Sequence, residues 1–134
     1  MTRALGLAAM ATLAVWPNWS LGWTAQNLLE VQQLNSEVIE VIGGAGSGPA
    51  QYWCGAGDYF RRVKGIGGAQ RIYIWRGVGP SETQAGRAAV QFALTAPDGA
   101  DTSTSYTLSM KRAGDNMSAG LAQQYCWGQR IIGP

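Results

Sequence analysis

Two cysteines, each beside a tryptophan, are the residues of this sequence with the clearest chemistry. Cys54 follows Trp53, and Cys126 precedes Trp127. Two cysteines in a short chain that begins like an export signal are typical of a structural disulfide, because the bond persists in oxidising compartments. A redox pair is the alternative, but the two residues lack the Cys-x-x-Cys spacing of such sites. The sequence therefore predicts a Cys54–Cys126 disulfide and gives these residues no catalytic role.

The N-terminus has the three-part layout of a signal peptide. Arg3 supplies a positive charge, an apolar run covers residues 4–15, and a turn-prone stretch leads to Gly22. The apolar run is about 12 residues long, whereas a membrane-spanning helix needs roughly 20. We therefore expect cleavage after Gly22, a single small domain over residues 23–134, no transmembrane anchor after cleavage, and a periplasmic or secreted protein. An amphipathic or buried N-terminal helix is the alternative.

The absence of histidine excludes most of the mechanisms that secreted hydrolases use. Ser-His-Asp and Cys-His mechanisms and the zinc sites with histidine ligands all require it. What remains is a site made of carboxylates and arginines, for which the candidates are Asp58 and Glu82 with Arg61, Arg62 or Arg76. We expect no catalytic residue, no metal site and no cofactor. An enzyme with a mechanism that does not use histidine is the alternative.

The charges of the chain are close to balanced. Signal cleavage would remove one of the ten basic side chains and none of the eight acidic ones. Nothing in this balance calls for nucleic acid. Basic residues are concentrated between residues 58 and 87, which ordinary solvation and internal pairing explain. The expected partner is therefore a protein or another component of the cell envelope.

Aromatic and basic side chains together form the candidate binding face. Tyr73 and Trp75 lie on one side of a predicted strand, with Arg71 and Arg76 at or near its ends. Such a surface can stack against sugars, bases or a peptide. The alternative is that the aromatic side packs under helices, or that both sides of the strand are covered.

The rest of the pattern predicts a succession of short elements. Two runs, residues 28–34 and 37–42, predict a hairpin that turns at Asn35 and Ser36. A glycine-rich loop precedes a helix predicted over residues 50–64, which glycines end. The later predicted elements are strands at residues 71–76 and 88–95 with a ten-residue loop between them, a strand marked by Tyr106, Leu108 and Met110, and a short helix marked by Met117, Leu121 and Tyr125.

This order of elements predicts an α+β fold. We expect an antiparallel sheet of about five strands with two helices packed on one face and joined by the disulfide.

At 100° per residue, Cys54 falls on the opposite side of its helix from Tyr52, Ala56, Tyr59 and Val63. Either the helix begins after Cys54, or the bridge lies at the edge of the helical layer, near the N-terminus of the first helix and the C-terminus of the second.

Residues 52–59, Tyr-Trp-Cys-Gly-Ala-Gly-Asp-Tyr, and the closing Tyr125-Cys126-Trp127 resemble a group of short, uncharacterised exported proteins of Gram-negative bacteria. The resemblance spans most of the chain after residue 22 and is loose in the middle loops. It implies a periplasmic or secreted setting and a disulfide between those two cysteines, and it implies no activity. We therefore expect a disulfide-stabilised, non-catalytic binding or envelope-associated module.

Overall fold

The structure is a computed structural model that describes residues 22–128, so the predicted signal peptide lies outside it apart from Gly22. These residues form six strands and two helices. In chain order the elements are β1 (Trp23–Thr24), β2 (Glu30–Gln33), β3 (Val38–Ile42), α1 (Pro49–Arg62), β4 (Arg71–Pro80), β5 (Ala88–Ala93), β6 (Asn116–Ser118) and α2 (Ala119–Gly128).

The six strands form one antiparallel sheet in the order β1-β2-β3-β5-β4-β6. Because side chains alternate along a strand, Val41 shares a face with its cross-strand partners Val31 and Val90. Glu40 points to the opposite face together with its partner Gln91. The valine face packs against α1 and α2. We call the opposite face the helix-free face, because neither of these two helices packs on it. The predicted α+β fold with both helices on one face is confirmed, with six strands instead of about five.

Helix α1 is buried on two sides, since every residue from Tyr52 to Phe60 is buried. One side faces the sheet, where a Cβ atom at Gly55 would overlap the Val41 side chain. The other side faces α2, where a Cβ atom at Gly57 would overlap the backbone nitrogen of Gln123. Glycines at both contacts let the helix approach the sheet and α2 closely.

The predicted disulfide is present between α1 and α2, and both cysteines are buried. Helix α1 begins five residues before Cys54, so the alternative that the helix starts after this cysteine is wrong. Cys54 lies in the N-terminal half of α1 and Cys126 in the last turn of α2, and these positions along the helices agree with the second alternative. Trp53 is fully buried against Phe92, with ring centroids 4.9 Å apart, whereas Trp127 is about half exposed.

The hairpin and the first helix lie where the sequence predicts them. Asn35 forms the turn between β2 and β3, because its Oδ1 accepts the backbone N–H groups of Glu37 and Val38 at 2.8 and 2.9 Å. Helix α1 starts at Pro49, a favoured first residue of a helix. It ends before Gly65, whose φ of 67° permits the turn that follows.

The strand predicted at Tyr106, Leu108 and Met110 is wrong, since these residues belong to a loop. The loop is held by Arg112, whose guanidinium donates to the carbonyl oxygens of Asp101 and Ser103. Residues 106–110 share one backbone hydrogen bond with β4, from the Val78 N–H to the Met110 carbonyl at 2.8 Å, which is too little for a strand ladder. The neighbour of β4 is instead β6, whose Met117 pairs with Ile72.

Strand β4 is longer than the sequence predicts. It runs to Pro80 with register shifts between Ile74 and Arg76 and between Arg76 and Gly79. The first four residues of the predicted loop 77–86 therefore belong to the strand. The remaining loop folds over the helix-free face, where it meets Glu40.

Candidate binding site

A cavity of about 340 Å³ lies at one end of the domain. It opens between the β2–β3 turn, the segment that follows α1, and the end of β5. Its lining residues are Gln33, Asn35, Ser36, Glu37, Ile39, Phe60, Lys64, Ile66, Leu94 and Thr95. Three separate segments of the chain therefore build one concave site, which is the usual form of a small-molecule pocket.

The floor of the cavity is apolar. Ile39 from β3 and Phe60 from the last turn of α1 are almost fully buried, and Ile66 and Leu94 pack partly buried against the same core. The backbone N–H of Ile66 donates to the Phe60 carbonyl at 3.1 Å. This bond folds the chain back after the helix, so that Ile66 closes one side of the floor.

The rim of the cavity is polar. Asn35, Ser36 and Glu37 come from the hairpin turn, and Lys64 follows the end of α1. The side-chain oxygen of Asn35 accepts two backbone N–H groups of the turn, whereas its NH₂ group makes no hydrogen bond within residues 22–128. A polar rim around an apolar floor is the arrangement that orients an amphipathic ligand.

The predicted binding face belongs to β4, and its two aromatic residues are half-buried. Ile72 and Ile74 are fully buried in the core under the helices. Tyr73 pairs with Ala93 on the helix-free face and is half-buried, as is Trp75 at the first register shift. Tyr73 therefore does not pack under the helices, so that alternative is wrong for this residue.

The two arginines of this face already have partners. Arg71 donates from Nε and Nη2 to the side-chain oxygen of Asn116 at 2.9 and 2.8 Å. Arg76 donates from Nη2 to the Pro80 carbonyl at 2.8 Å and lies 3.7 Å from a Glu82 oxygen. Neither arginine reaches the cavity, so the predicted face and the cavity are separate surfaces.

The acidic residues of the enzymatic alternative lie apart. Asp58 is fully buried in α1, where it accepts the Gln26 backbone N–H at 2.9 Å and pairs with Arg62 at 3.2 Å. Arg61 donates to the Ile66 carbonyl at 3.1 Å. Asp58 thus ties the segment after β1 to the helix, while Glu82 lies on the loop over the helix-free face.

A further buried carboxylate, Glu40, was not singled out by the sequence. It is fully buried on the helix-free face and accepts the Ser81 hydroxyl at 2.6 Å and the Glu82 and Thr83 backbone N–H groups at 3.0 Å each. The Thr83 hydroxyl is a fourth donor. Burial raises the pKa of Glu40, but these hydrogen bonds outweigh it and hold the pKa below its usual range. An ionised carboxylate therefore fastens the loop to the sheet.

Within residues 22–128, no group of three or more His, Cys, Asp or Glu side chains is placed to hold a metal ion. Neither α1 nor α2 has the length and apolar character that crossing a membrane requires.

Among known proteins, no protein-family model, curated sequence or solved structure was found to match the chain.

Proposed function

We propose that this domain is a non-catalytic binding module of an exported protein, and that its cavity holds the apolar part of a ligand or partner. The observation that carries the proposal is the cavity itself, with an apolar floor and a polar rim. Its volume of about 340 Å³ falls within the range of ligand pockets, roughly 300–1,000 Å³. The cavity is therefore a concave site whose size and polarity suit the apolar part of a ligand.

The exported setting is supported by two features. The first residues have the layout of a signal peptide, and the domain contains a buried disulfide between Cys54 and Cys126. Disulfides of this kind persist in the periplasm or outside the cell. A periplasmic or secreted module is therefore the setting that we propose.

The non-catalytic role is supported by the positions of the charged candidates. Asp58 is engaged by α1 and the segment after β1, and Glu82 is near Arg76 on the other face of the sheet. Neither carboxylate lines the cavity. An enzyme built on these residues has less support, because its acid and base would lie on opposite sides of the sheet.

The proposal is tested with a neutral apolar probe, N-phenyl-1-naphthylamine, whose fluorescence rises in an apolar site. We expect saturable binding to the purified protein. Leu94→Trp, which places a larger side chain at the cavity, should weaken binding about tenfold, the equivalent of about 1.4 kcal/mol. Leu108 is an exposed leucine that does not line the cavity, so Leu108→Trp is the control.

Thermal unfolding of both variants checks that each remains folded. A probe that does not saturate on the unmodified protein would contradict the proposal. Equal effects of Leu94→Trp and Leu108→Trp would also contradict it, because the probe would then bind elsewhere.

A further inference from the structure

The polar groups on the rim of the cavity differ in what they offer a ligand. Among residues 22–128, the Lys64 ammonium, the Glu37 carboxylate and the Ser36 and Thr95 hydroxyls have no hydrogen-bond or ion-pair partner. The Asn35 NH₂ group is also unengaged, since its bonds use only the side-chain oxygen. These five groups are therefore available to a molecule that enters the cavity.

Donors predominate in this set. Lys64 and the Asn35 NH₂ group only donate, the two hydroxyls can donate or accept, and Glu37 alone only accepts. A ligand whose polar end accepts hydrogen bonds and carries negative charge matches such a rim. The apolar floor of Ile39, Phe60, Ile66 and Leu94 then requires an apolar body attached to that end.

We infer that the cavity binds a small amphipathic carboxylate, with its apolar chain or ring on the floor and its carboxylate beside Lys64 and Asn35. The inference rests on the proposed function, because it names the ligand class of the same cavity. The volume of about 340 Å³ is near the lower end of the range for ligand pockets. A small acid therefore fits this cavity better than a long-chain lipid.

The rim chemistry also distinguishes a carboxylate from a phosphate. Among residues 22–128, no arginine lines the cavity, and arginine is the side chain whose planar fork matches phosphate in two parallel bonds. Glu37 on the rim repels a doubly charged group more strongly than a singly charged one. A monocarboxylate is therefore the anion that this rim tolerates best.

The test uses three probes with the same apolar chain: octanoate, octanol and octylamine. For each of the three, we measure how well it displaces N-phenyl-1-naphthylamine from the protein at neutral pH, where octanoate is ionised. We expect octanoate to bind more tightly than octanol, and octylamine to bind more weakly than octanoate. The expected advantage is roughly two- to fivefold, as for one exposed ion pair.

Two variants of the rim should change octanoate binding in opposite directions. Lys64→Gln should remove the advantage of octanoate over octanol, and Glu37→Gln should tighten octanoate by a similar factor. Octanol binding should be the same in both variants, which shows that the floor is intact. Lys111 is an exposed lysine away from the cavity, so Lys111→Gln is the control and should change nothing.

Equal binding of octanoate and octanol, or an unchanged octanoate affinity in Lys64→Gln, would overturn the inference. So would tighter binding of octylamine that Glu37→Gln weakens, since the ligand would then be a cation. In each of these cases octanol still competes with the naphthylamine probe, and the proposed binding function stands. Failure of every probe, octanol included, would instead refute the proposed function.

Discussion

Replacing the buried carboxylate Glu40 with glutamine should destabilise the domain and release the loop over the helix-free face. Glu40 is fully buried and accepts four donors: the Ser81 and Thr83 hydroxyls and the Glu82 and Thr83 backbone N–H groups. Glutamine has nearly the same shape but carries no charge, and one of its terminal atoms is a donor. Glu40→Gln therefore tests the charge and the acceptor without creating a cavity.

The expected size of the effect follows from the two carboxylate oxygens. One oxygen, Oε2, accepts Ser81 and both donors of Thr83, and the other, Oε1, accepts the Glu82 N–H. With the glutamine NH₂ group in the Oε1 position, one backbone N–H loses its acceptor, which costs about 1–3 kcal/mol, and the remaining bonds lose the strengthening effect of the charge. We expect the free energy of unfolding to fall by about 3 kcal/mol.

The pH dependence has a defined sign. Because the pKa of Glu40 is lower in the folded protein than in the unfolded chain, its stabilising contribution is fully present above the unfolded-state pKa. The contribution is lost as the pH falls through the folded-state pKa. The difference in stability between the unmodified protein and Glu40→Gln should therefore be constant from pH 7 to about 5 and shrink at lower pH.

Denaturant unfolding followed by tryptophan fluorescence measures these stabilities across the pH range. Amide hydrogen exchange reports the loop directly, and the Glu82 and Thr83 amides should exchange faster in Glu40→Gln. Glu37→Gln is the matched control, because Glu37 is exposed at the neighbouring turn and should change stability by less than about 0.5 kcal/mol. The reasoning would be refuted if Glu40→Gln lowered the free energy of unfolding at pH 7 by no more than Glu37→Gln does. It would also be refuted if the difference in stability between the unmodified protein and Glu40→Gln did not shrink in acid.

Three other changes test the packing and the backbone. Reduction of the Cys54–Cys126 bond, which joins residues separated by 72 positions, should lower the free energy of unfolding by about 4 kcal/mol, and alanine at either cysteine should give the same loss in denaturant unfolding. Gly57→Ala should lower it by about 2–3 kcal/mol because its methyl group would overlap α2, whereas Gly67→Ala, with nothing within 4 Å, should be nearly neutral. Leu28, at a φ of 69° and 82% exposed, is in a backbone conformation that leucine disfavours, so Leu28→Asn should raise the melting temperature by an amount equivalent to about 1 kcal/mol.

The elements that the sequence predicts correctly are those with a complete local signal. Ile72 and Ile74 alternate with polar or aromatic neighbours, and both are fully buried on the helix side of β4. Asn35 and Ser36 interrupt two apolar runs and form the turn between β2 and β3. In each case the residues that define the element are contiguous, so periodicity and turn chemistry are sufficient.

The errors arise where contacts with distant residues decide the structure. Tyr106, Leu108 and Met110 alternate like a strand, but Arg112 bonds to the carbonyl groups of Asp101 and Ser103 and keeps the segment in a loop. The β6 strand is only three residues long, Asn116–Ser118, and has no alternation to recognise. Its pairing with β4 depends on where the chain returns after the loop.

The position of Cys54 on α1 is also decided by contacts with distant residues. A helical wheel assumes one buried face and one solvent face, and by that assumption Cys54 conflicts with Tyr52 and Tyr59. In the structure all three are buried, because the sheet covers one side of α1 and α2 covers the other. The conflict disappears once the second buried side is known, and only the tertiary structure supplies it.

The cavity is likewise a consequence of where elements end. Helix α1 stops at Arg62, and Gly65 turns the chain so that Ile66 bonds back to Phe60. One further helical turn would add about 5.4 Å and would extend into the region that Lys64 and Ile66 now line. No short motif encodes such a site, because its floor joins the end of a helix to the start of β3 and the residue after β5. Gly65, which turns the chain after the helix, is therefore also a determinant of the proposed binding site.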